Sequence, residues 1–201
     1  MRTKKLISIL LSVIMVLSSL TVTNFFAYAD DLTTGSCGNN VSYSFDSATG
    51  TLTISGTGPM TNYTWSSHSP FYGNANIETV IINDGVTTIG RYSFEGCSGI
   101  VDVSISESVS KIGDDSFYKC RSLKSVVIPD GVTEVAFDSF QYCESLTTVI
   151  IPDSVKKILG YAFNGCSNLT DIDLPDSLEE IHQSAFDHTG LTSITDRKSV
   201  V

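Results

Sequence analysis

The chain has 201 residues, of which 41% are hydrophobic, and this is enough to bury the core of one ordinary domain. Its formal net charge at pH 7 is −10, from 12 lysines and arginines against 22 aspartates and glutamates. A surface with this excess of carboxylates repels phosphate groups, so we expect neither a nucleic acid nor an anionic membrane as a partner.

Residues 1–29 have the pattern of a secretory signal peptide. A positively charged start precedes an apolar run over 6–20, and Ala27 and Ala29 make a small-residue cleavage site. An uncleaved membrane anchor is the alternative, but the acidic residues that follow directly favour removal. Cleavage would leave a net charge of −13, because residues 1–29 hold three of the twelve basic residues and none of the acidic ones. No second apolar stretch is long enough to span a bilayer, so we expect a secreted or cell-surface, extracellular protein.

Residues 30–76 are predicted to form a β-rich cap region. Alternating apolar and polar residues over 41–45 and 52–54 flank turn residues at 46–50, which predicts a β-hairpin. The stretch 61–76 shows no period and is predicted to be irregular. A stack of repeats must cover the apolar end of its first unit, and the hairpin lies where that cap is needed.

From residue 77 onward one pattern returns every 23 residues, as Phe94 and Phe117 illustrate. Each unit opens with aliphatic residues in L-x-x-L-x-L spacing, as in Leu123, Val126 and Ile128, and such a period is typical of a leucine-rich-repeat solenoid. The most regular columns are Phe94, Phe117, Phe140, Phe163 and Phe186, with Cys97, Cys120, Cys143 and Cys166 three positions after the first four. The predicted units are 77–99, 100–122, 123–145, 146–168, 169–190 and a partial sixth at 191–194, where a further strand begins, followed by a C-terminal tail over 195–201.

The third unit illustrates the predicted path of the backbone. A strand from Leu123 to Ile128 is followed by a turn at 129–131, an extended crossing of the far side over 132–135, and a turn of helix from Asp138 to Cys143. We therefore predict a leucine-rich-repeat solenoid that is mainly β with short helical turns. It has a parallel sheet of about five to six strands and the N-terminal β-hairpin as its cap.

The four repeated cysteines occupy one position of the predicted stack. In a secreted chain they allow a disulfide interpretation, since neighbouring repeats lie within the ~4.4–6.8 Å that a disulfide spans between α-carbons. We favour a ladder of buried free thiols, because each cysteine follows an inward-facing phenylalanine and behaves there as a small apolar residue. Zinc is disfavoured, because cysteines a full repeat apart lack the short C-x-x-C step. Cys37 has no partner in the repeats.

An acidic residue follows the end of each predicted strand. A row of carboxylates allows a calcium site, but one per repeat falls short of the roughly six to eight oxygens that calcium takes. We favour turn chemistry, because aspartate before glycine or serine initiates turns. The column consists of Asp84, Glu107, Asp130, Asp153 and Asp176.

The outward positions of the predicted strands form the candidate binding face. Its aliphatic members allow an interaction patch, and the alternative is ordinary strand propensity at a half-exposed site. The sequence leaves both open. The candidate residues are Thr79, Ile81, Asp102, Ser104, Ser125, Val127, Thr148, Ile150, Asp171 and Asp173.

Catalysis finds no support in the sequence. The three histidines, His68, His182 and His188, lie in no metal or triad motif, and the predicted cysteines are too apolar to be good nucleophiles. We therefore predict no catalytic, cofactor-binding or metal-ligating residue. Tyrosines in the predicted turns allow stacking on sugars, but we favour packing; they are Tyr92, Tyr118, Tyr142 and Tyr161.

The unit Leu123–Cys143 resembles the BspA-like leucine-rich repeats of bacterial surface proteins, and the resemblance covers about 77–194. Three further segments, 35–38, 51–58 and 81–86, are similar to the region that precedes such repeats in secreted proteins. The resemblance implies cell-surface display and adhesion to host or neighbouring-cell proteins.

The resulting expectation is a non-catalytic binding protein without cofactors. Its partner would be a protein or glycoprotein of unknown identity, bound on the strand face, and we expect the chain to be a monomer. The alternative is a structural or carbohydrate-associated accessory module that accompanies a secreted enzyme.

Overall fold

The computed structural model describes residues 32–193, and the fold is that of the compact unit that begins at Thr34. The predicted signal peptide and the predicted C-terminal tail lie outside the described residues. Within that range no helix is long and apolar enough to cross a membrane. The same range holds thirteen strands: β1 (Thr34–Ser36), β2 (Val41–Asp46), β3 (Thr51–Gly56), β4 (Gly58–Pro59), β5 (Thr79–Ile82), β6 (Val86–Ile89), β7 (Asp102–Ile105), β8 (Lys111–Ile112), β9 (Ser125–Val127), β10 (Glu134–Val135), β11 (Thr148–Ile150), β12 (Lys157–Ile158) and β13 (Glu180–Ile181).

The predicted hairpin is confirmed and joins the repeat sheet directly. Strands β2 and β3 pair antiparallel, and β3 then pairs parallel with β5, placing Leu52 opposite Val80 and Ile54 opposite Ile82. The sheet runs in the order β1-β2-β3-β5-β7, and β9 and β11 follow it as a parallel pair. The apolar end of the first full repeat is thus covered by hydrogen-bonded backbone.

The fifth repeat departs from the predicted pattern. Leu169, Ile172 and Leu174 are buried as expected, but residues 169–174 form no strand ladder, and residues 191–193 form no strand either. The aspartates at 171 and 173 explain part of this, because aspartate is depleted in strands.

A second set of short parallel strands runs on the far side of the repeats, as predicted. It consists of the ladders β4-β6-β8 and β10-β12-β13. Val135 lies opposite Ile158, and Ile158 lies opposite Ile181. The core lies between the two strand sets and is formed by their buried side chains, such as Val126 and Val135.

The predicted turns of helix are wrong: the described residues contain no helix. The segment from Asp138 to Cys143 is held instead by hydrogen bonds between residues three apart, such as Gln141 N to Asp138 O and Cys143 N to Phe140 O. Two residues in it, Asp138 and Tyr142, have φ values of 54° and 58°. A left-handed residue interrupts the helical hydrogen-bond series, so the chain turns without forming a helix.

The stack of phenylalanine rings begins one unit earlier than predicted. Phe71 lies one repeat period before Phe94, and the two rings stack with centroids 5.5 Å apart. Tyr43 from the hairpin packs edge-on against Phe71 at 4.9 Å. The prediction that 61–76 lacks the period is therefore wrong at Phe71, which is fully buried. The stack continues through Phe117, Phe140, Phe163 and Phe186 with centroid separations of 5.1–5.5 Å.

Candidate functional site

The strand face is built by strict alternation of side chains. Val80, Val103, Val126 and Val149 point into the core, so their neighbours in sequence point to solvent. The register aligns those neighbours in two rows across the sheet. Of the ten candidate residues, Thr79, Ile81 and Ser125 are half-buried, and Asp102, Ser104, Val127, Thr148, Ile150, Asp171 and Asp173 are exposed.

The centre of the strand face is an apolar pair. Val127 and Ile150 lie directly opposite each other on β9 and β11, and their exposed fractions are 52% and 54%. Neighbouring strands of a sheet lie about 4.7–4.9 Å apart, so the two side chains form one continuous apolar surface. Asp102 and Ser104 on one side, and Asp173 on the other, give this surface polar flanks.

Two residues of the face were missed by the sequence analysis. Thr51 and Thr53 on β3 lie opposite Thr79 and Ile81, so the hairpin extends the two rows by one strand. The alternation around Leu52 was the available signal. That alternation predicts the hairpin but does not specify its register with β5.

The acidic column borders the strand face at the carboxyl ends of the strands. Each acidic residue is the second residue of a turn closed by a backbone hydrogen bond, such as Val132 N to Pro129 O at 3.0 Å around Asp130. This supports the turn interpretation. All five side chains are exposed, and the ion pairs between described residues, such as Arg121–Glu144 and Lys157–Glu180, involve none of them. Within residues 32–193 no three His, Cys, Asp or Glu side chains come together as ligands for a metal ion.

The cysteine column is buried, as predicted, and its thiols are free. Each thiol of the column also donates a hydrogen bond to a backbone carbonyl one unit earlier, for example Cys97 Sγ to Phe71 O at 3.0 Å. Burial raises the pKa of the Cys97 and Cys166 thiols to about 12 and that of Cys37 to about 11. Such thiols stay protonated at neutral pH and are poor nucleophiles.

The predicted tyrosine set packs within the turns. Tyr118 and Tyr142 meet edge-on at 5.9 Å, and Tyr161 meets Phe137 at 5.6 Å. The histidines form no common site, since His182 lies 3.0 Å from Glu180 and His68 stacks on Tyr72.

A half-buried carboxylate lies in the turns away from the strand face. Burial raises the pKa of Asp138 to about 6, with the nearby carboxylates of Asp115 and Asp114 adding to the shift. One of its oxygens, Oδ1, is buried without a hydrogen-bond partner. The sequence did not indicate this burial. Asp138 lies in the segment that was predicted to form a turn of helix.

Comparison with known proteins places this arrangement among bacterial repeats. The family model for the BspA-type leucine-rich repeat region matches residues 21–146 and 99–201, with six copies. No curated protein sequence matches the chain at a significant level.

Solved structures share the fold. A leucine-rich cell surface protein from Faecalibacterium prausnitzii is 29% identical with a TM-score of 0.57, and the match covers 78% of this chain and 53% of that one. The chain thus spans about half the length of that protein. A leucine-rich repeat protein from Treponema pallidum is 24% identical with a TM-score of 0.52, over 70% of this chain and 78% of that one.

Proposed function

Since the chain belongs to the BspA-type leucine-rich repeat family, we propose that it is a secreted or cell-surface protein that binds a protein or glycoprotein partner on its strand face. Adhesion to host or neighbouring-cell macromolecules is the role this would serve. The structural relative from Faecalibacterium prausnitzii is described as a cell surface protein, which supports the extracellular location.

The observation that carries this proposal is the exposed pair Val127 and Ile150. Full burial of an aliphatic side chain of this size contributes about 1.5–3 kcal/mol, and both side chains keep roughly half of their surface available. Two such residues at the centre of the sheet, surrounded by polar ones, match the apolar centre and polar rim of a protein interface. The function therefore requires surface complementarity and no catalytic chemistry.

The charge around the pair bears on the partner. Five exposed carboxylates lie along one edge of the face, and among residues 32–193 no ion pair joins a basic side chain to any of them. This favours a partner surface that carries lysine or arginine beside an apolar anchor. Binding of this kind weakens as salt screens the exposed charges, with a Debye length of about 10 Å at 0.1 M.

The experiment is a pull-down with the secreted chain against extracellular-matrix proteins, mucins and cell-wall polysaccharides. A Val127→Asp/Ile150→Asp variant is run alongside, with Ser110→Asp/Thr133→Asp as the control, because those two exposed residues lie outside the strand face and add the same charge. Capture of a protein or mucin that the face variant loses and the control keeps supports the proposal. Capture of polysaccharide only, or of nothing, favours the accessory-module alternative.

A further inference from the structure

The register of the first repeat reveals an insertion of five residues. Leu52 pairs with Val80, and the side chain of Asn83 donates a hydrogen bond to Ser55 across a separation of 28 residues. The hydrogen bond from Tyr63 N to Arg91 O has that separation too. Equivalent positions of the later repeats are 23 residues apart, so this interval holds five extra residues.

The ring stack keeps the shorter, regular interval. Phe71 stacks on Phe94 at the repeat separation of 23 residues, which is also that of the hydrogen bond from Gly85 to Ser108. The extra residues therefore lie between Tyr63 and Phe71, and the units from residue 77 onward have no counterpart to them.

The insertion is a closed and anchored loop. Thr64 and Ser67 exchange two backbone hydrogen bonds, Thr64 N to Ser67 O at 3.1 Å and Ser67 N to Thr64 O at 3.0 Å. On its amino side, Arg91 N donates to Asn62 Oδ1 at 3.0 Å. On its carboxyl side, Ser69 Oγ donates to the carbonyl oxygen of Ser93 at 2.5 Å. The loop is thus closed on itself at its tip and hydrogen-bonded to the repeats at both of its ends.

Aromatic side chains are displayed on this loop. Trp65, the only tryptophan of the chain, lies at the tip with an exposed fraction of 75%. His68 stacks on Tyr72 with ring centroids 3.7 Å apart and an interplanar angle of 19°, and Tyr72 is 47% exposed. Tryptophan is on average highly buried, so its display on an inserted, hydrogen-bonded loop indicates binding.

The polar residues of the loop define the class of ligand. Residues 61–76 contain no lysine, arginine, aspartate or glutamate, although 17% of the chain is charged. They offer hydroxyl and amide groups instead, including the hydroxyls of Thr64 and Ser66, which flank Trp65 in sequence and lie 3.3 Å apart. A neutral ring with an apolar C–H face and hydroxyl groups at its edge fits both features, because the face stacks on the indole and the hydroxyls exchange hydrogen bonds.

Two other partners fit the loop less well. A stable protein partner needs about 800 Å² of buried surface on each side, which a tip of five residues does not provide. An anionic membrane surface is attracted by clustered lysine and arginine, which this segment lacks.

We propose that residues 64–68 and Tyr72, which we name the Trp65 loop, form a binding site for a neutral carbohydrate whose pyranose ring stacks on the Trp65 indole. The site is separate from the strand face, so it holds or fails independently of the proposed function.

The test uses the single tryptophan as its own reporter. The full secreted chain is titrated with neutral hexasaccharides built from β-linked glucose, N-acetylglucosamine or xylose, or from α-linked mannose, up to millimolar concentrations, while tryptophan fluorescence is recorded. We expect a saturable change of intensity or emission maximum with at least one of these sugars. A sulfated oligosaccharide of the same length is expected to give none, because the chain is acidic.

Variants separate stacking at Trp65 from binding elsewhere, with affinity measured by calorimetry. Trp65→Ala is expected to weaken binding of the active sugar at least about tenfold, and Trp65→Phe less, because an aromatic face remains. The strand-face variant Val127→Asp/Ile150→Asp is expected to bind the sugar unchanged. Absence of a saturable response to every neutral sugar, or unchanged affinity in Trp65→Ala, would overturn the proposal.

Discussion

The thiol of Cys120 donates a hydrogen bond to the backbone carbonyl oxygen of Phe94, with the sulfur and oxygen 3.2 Å apart. Cys143 and Cys166 bond in the same way to Phe117 and Phe140, at 3.3 and 3.2 Å. Only a protonated thiol can donate, so each thiol adds a second hydrogen bond to a carbonyl oxygen that already accepts from the backbone N–H three residues further on, as Phe94 O does from Cys97 N. The cysteines therefore connect each unit to the one before it.

The burial of these thiols predicts a loss of stability at alkaline pH, because burial disfavours the charged thiolate and raises the thiol pKa. The pKa of Cys97 and Cys166 is raised from 9.0 to about 12 in the folded protein. Between about pH 9 and pH 12 the folded state then holds more protons than the unfolded state, so the free energy of unfolding falls as pH rises. Each thiol contributes a slope of up to about 1.4 kcal/mol per pH unit. Urea unfolding at pH 7, 9 and 10.5 under reducing conditions measures it.

The control for the alkaline effect is Cys97→Ala/Cys166→Ala. This variant is less stable at pH 7 but its unfolding free energy should fall less steeply between pH 9 and 10.5. Equal slopes in the two proteins would show that the thiols do not carry the effect.

Phe71 is predicted to be as important to the fold as the phenylalanines of the recognised repeats. Phe71→Ala and Phe140→Ala should each lower the free energy of unfolding by about 3–5 kcal/mol, because both rings are fully buried in one stack. Trp65→Ala should change it by less than about 0.5 kcal/mol, since that side chain is mostly exposed. Denaturant unfolding of the three variants decides this. If Phe71→Ala behaved like Trp65→Ala, the stack would not begin at Phe71.

Asp138→Asn is predicted to stabilise the protein at pH 7. Because burial raises the pKa of Asp138 from 3.8 to about 6, the charged form is disfavoured in the folded state, and stability is lost as pH rises from about 4 to 6. Asparagine removes the charge and tolerates the left-handed backbone at φ 54°. We expect a gain of roughly 1–2 kcal/mol at pH 7, less than the full shift implies because solvent screens this partly exposed carboxylate, and little change at pH 4. Thermal unfolding at both pH values tests this, and an equal effect at the two would contradict it.

One column of the turns is left-handed in successive units, whatever residue occupies it. Gly96 has φ 72° and Lys119 has φ 61° at equivalent positions. Gly96→Ala should destabilise by about 1 kcal/mol, because its Cβ has ordinary space and meets only the backbone strain. Lys119→Gly should stabilise by about 0.5 kcal/mol, since strain is relieved while the contact of Lys119 with the Tyr118 ring is lost. Opposite signs in urea unfolding are the expected result, and equal signs would refute the argument.

The sequence determined the repeat architecture well because one side chain per unit has to fill the same buried position. The constant spacing of the phenylalanines from Phe94 to Phe186 predicted the buried ring column. The alternation around Val126 and Val149 predicted which strand residues face solvent. Phe71 was missed because an insertion lengthens the interval between β3 and β5, and because Asn74 stands where a cysteine is expected.

Other features depend on backbone conformation and tertiary packing. The turn of helix was a wrong prediction, because Asp138 and Tyr142 have left-handed φ values and their N–H groups donate to carbonyl oxygens of the next unit, those of Gly160 and Asn164, instead of to a helical partner. The membership of Thr51 and Thr53 in the strand face depends on the pairing of the hairpin with β5, which alternation alone does not specify.

The most direct test of binding through the strand face is the affinity of the protein for a partner captured in the pull-down. The dissociation constant is measured for the wild-type chain, for Val127→Asp/Ile150→Asp and for the control Ser110→Asp/Thr133→Asp, with thermal unfolding recorded for all three. We predict that the face variant binds at least about 100-fold more weakly while the control binds like the wild type and all three unfold at similar temperatures. Unchanged affinity in a folded Val127→Asp/Ile150→Asp protein would contradict the claim that the chain binds through this face.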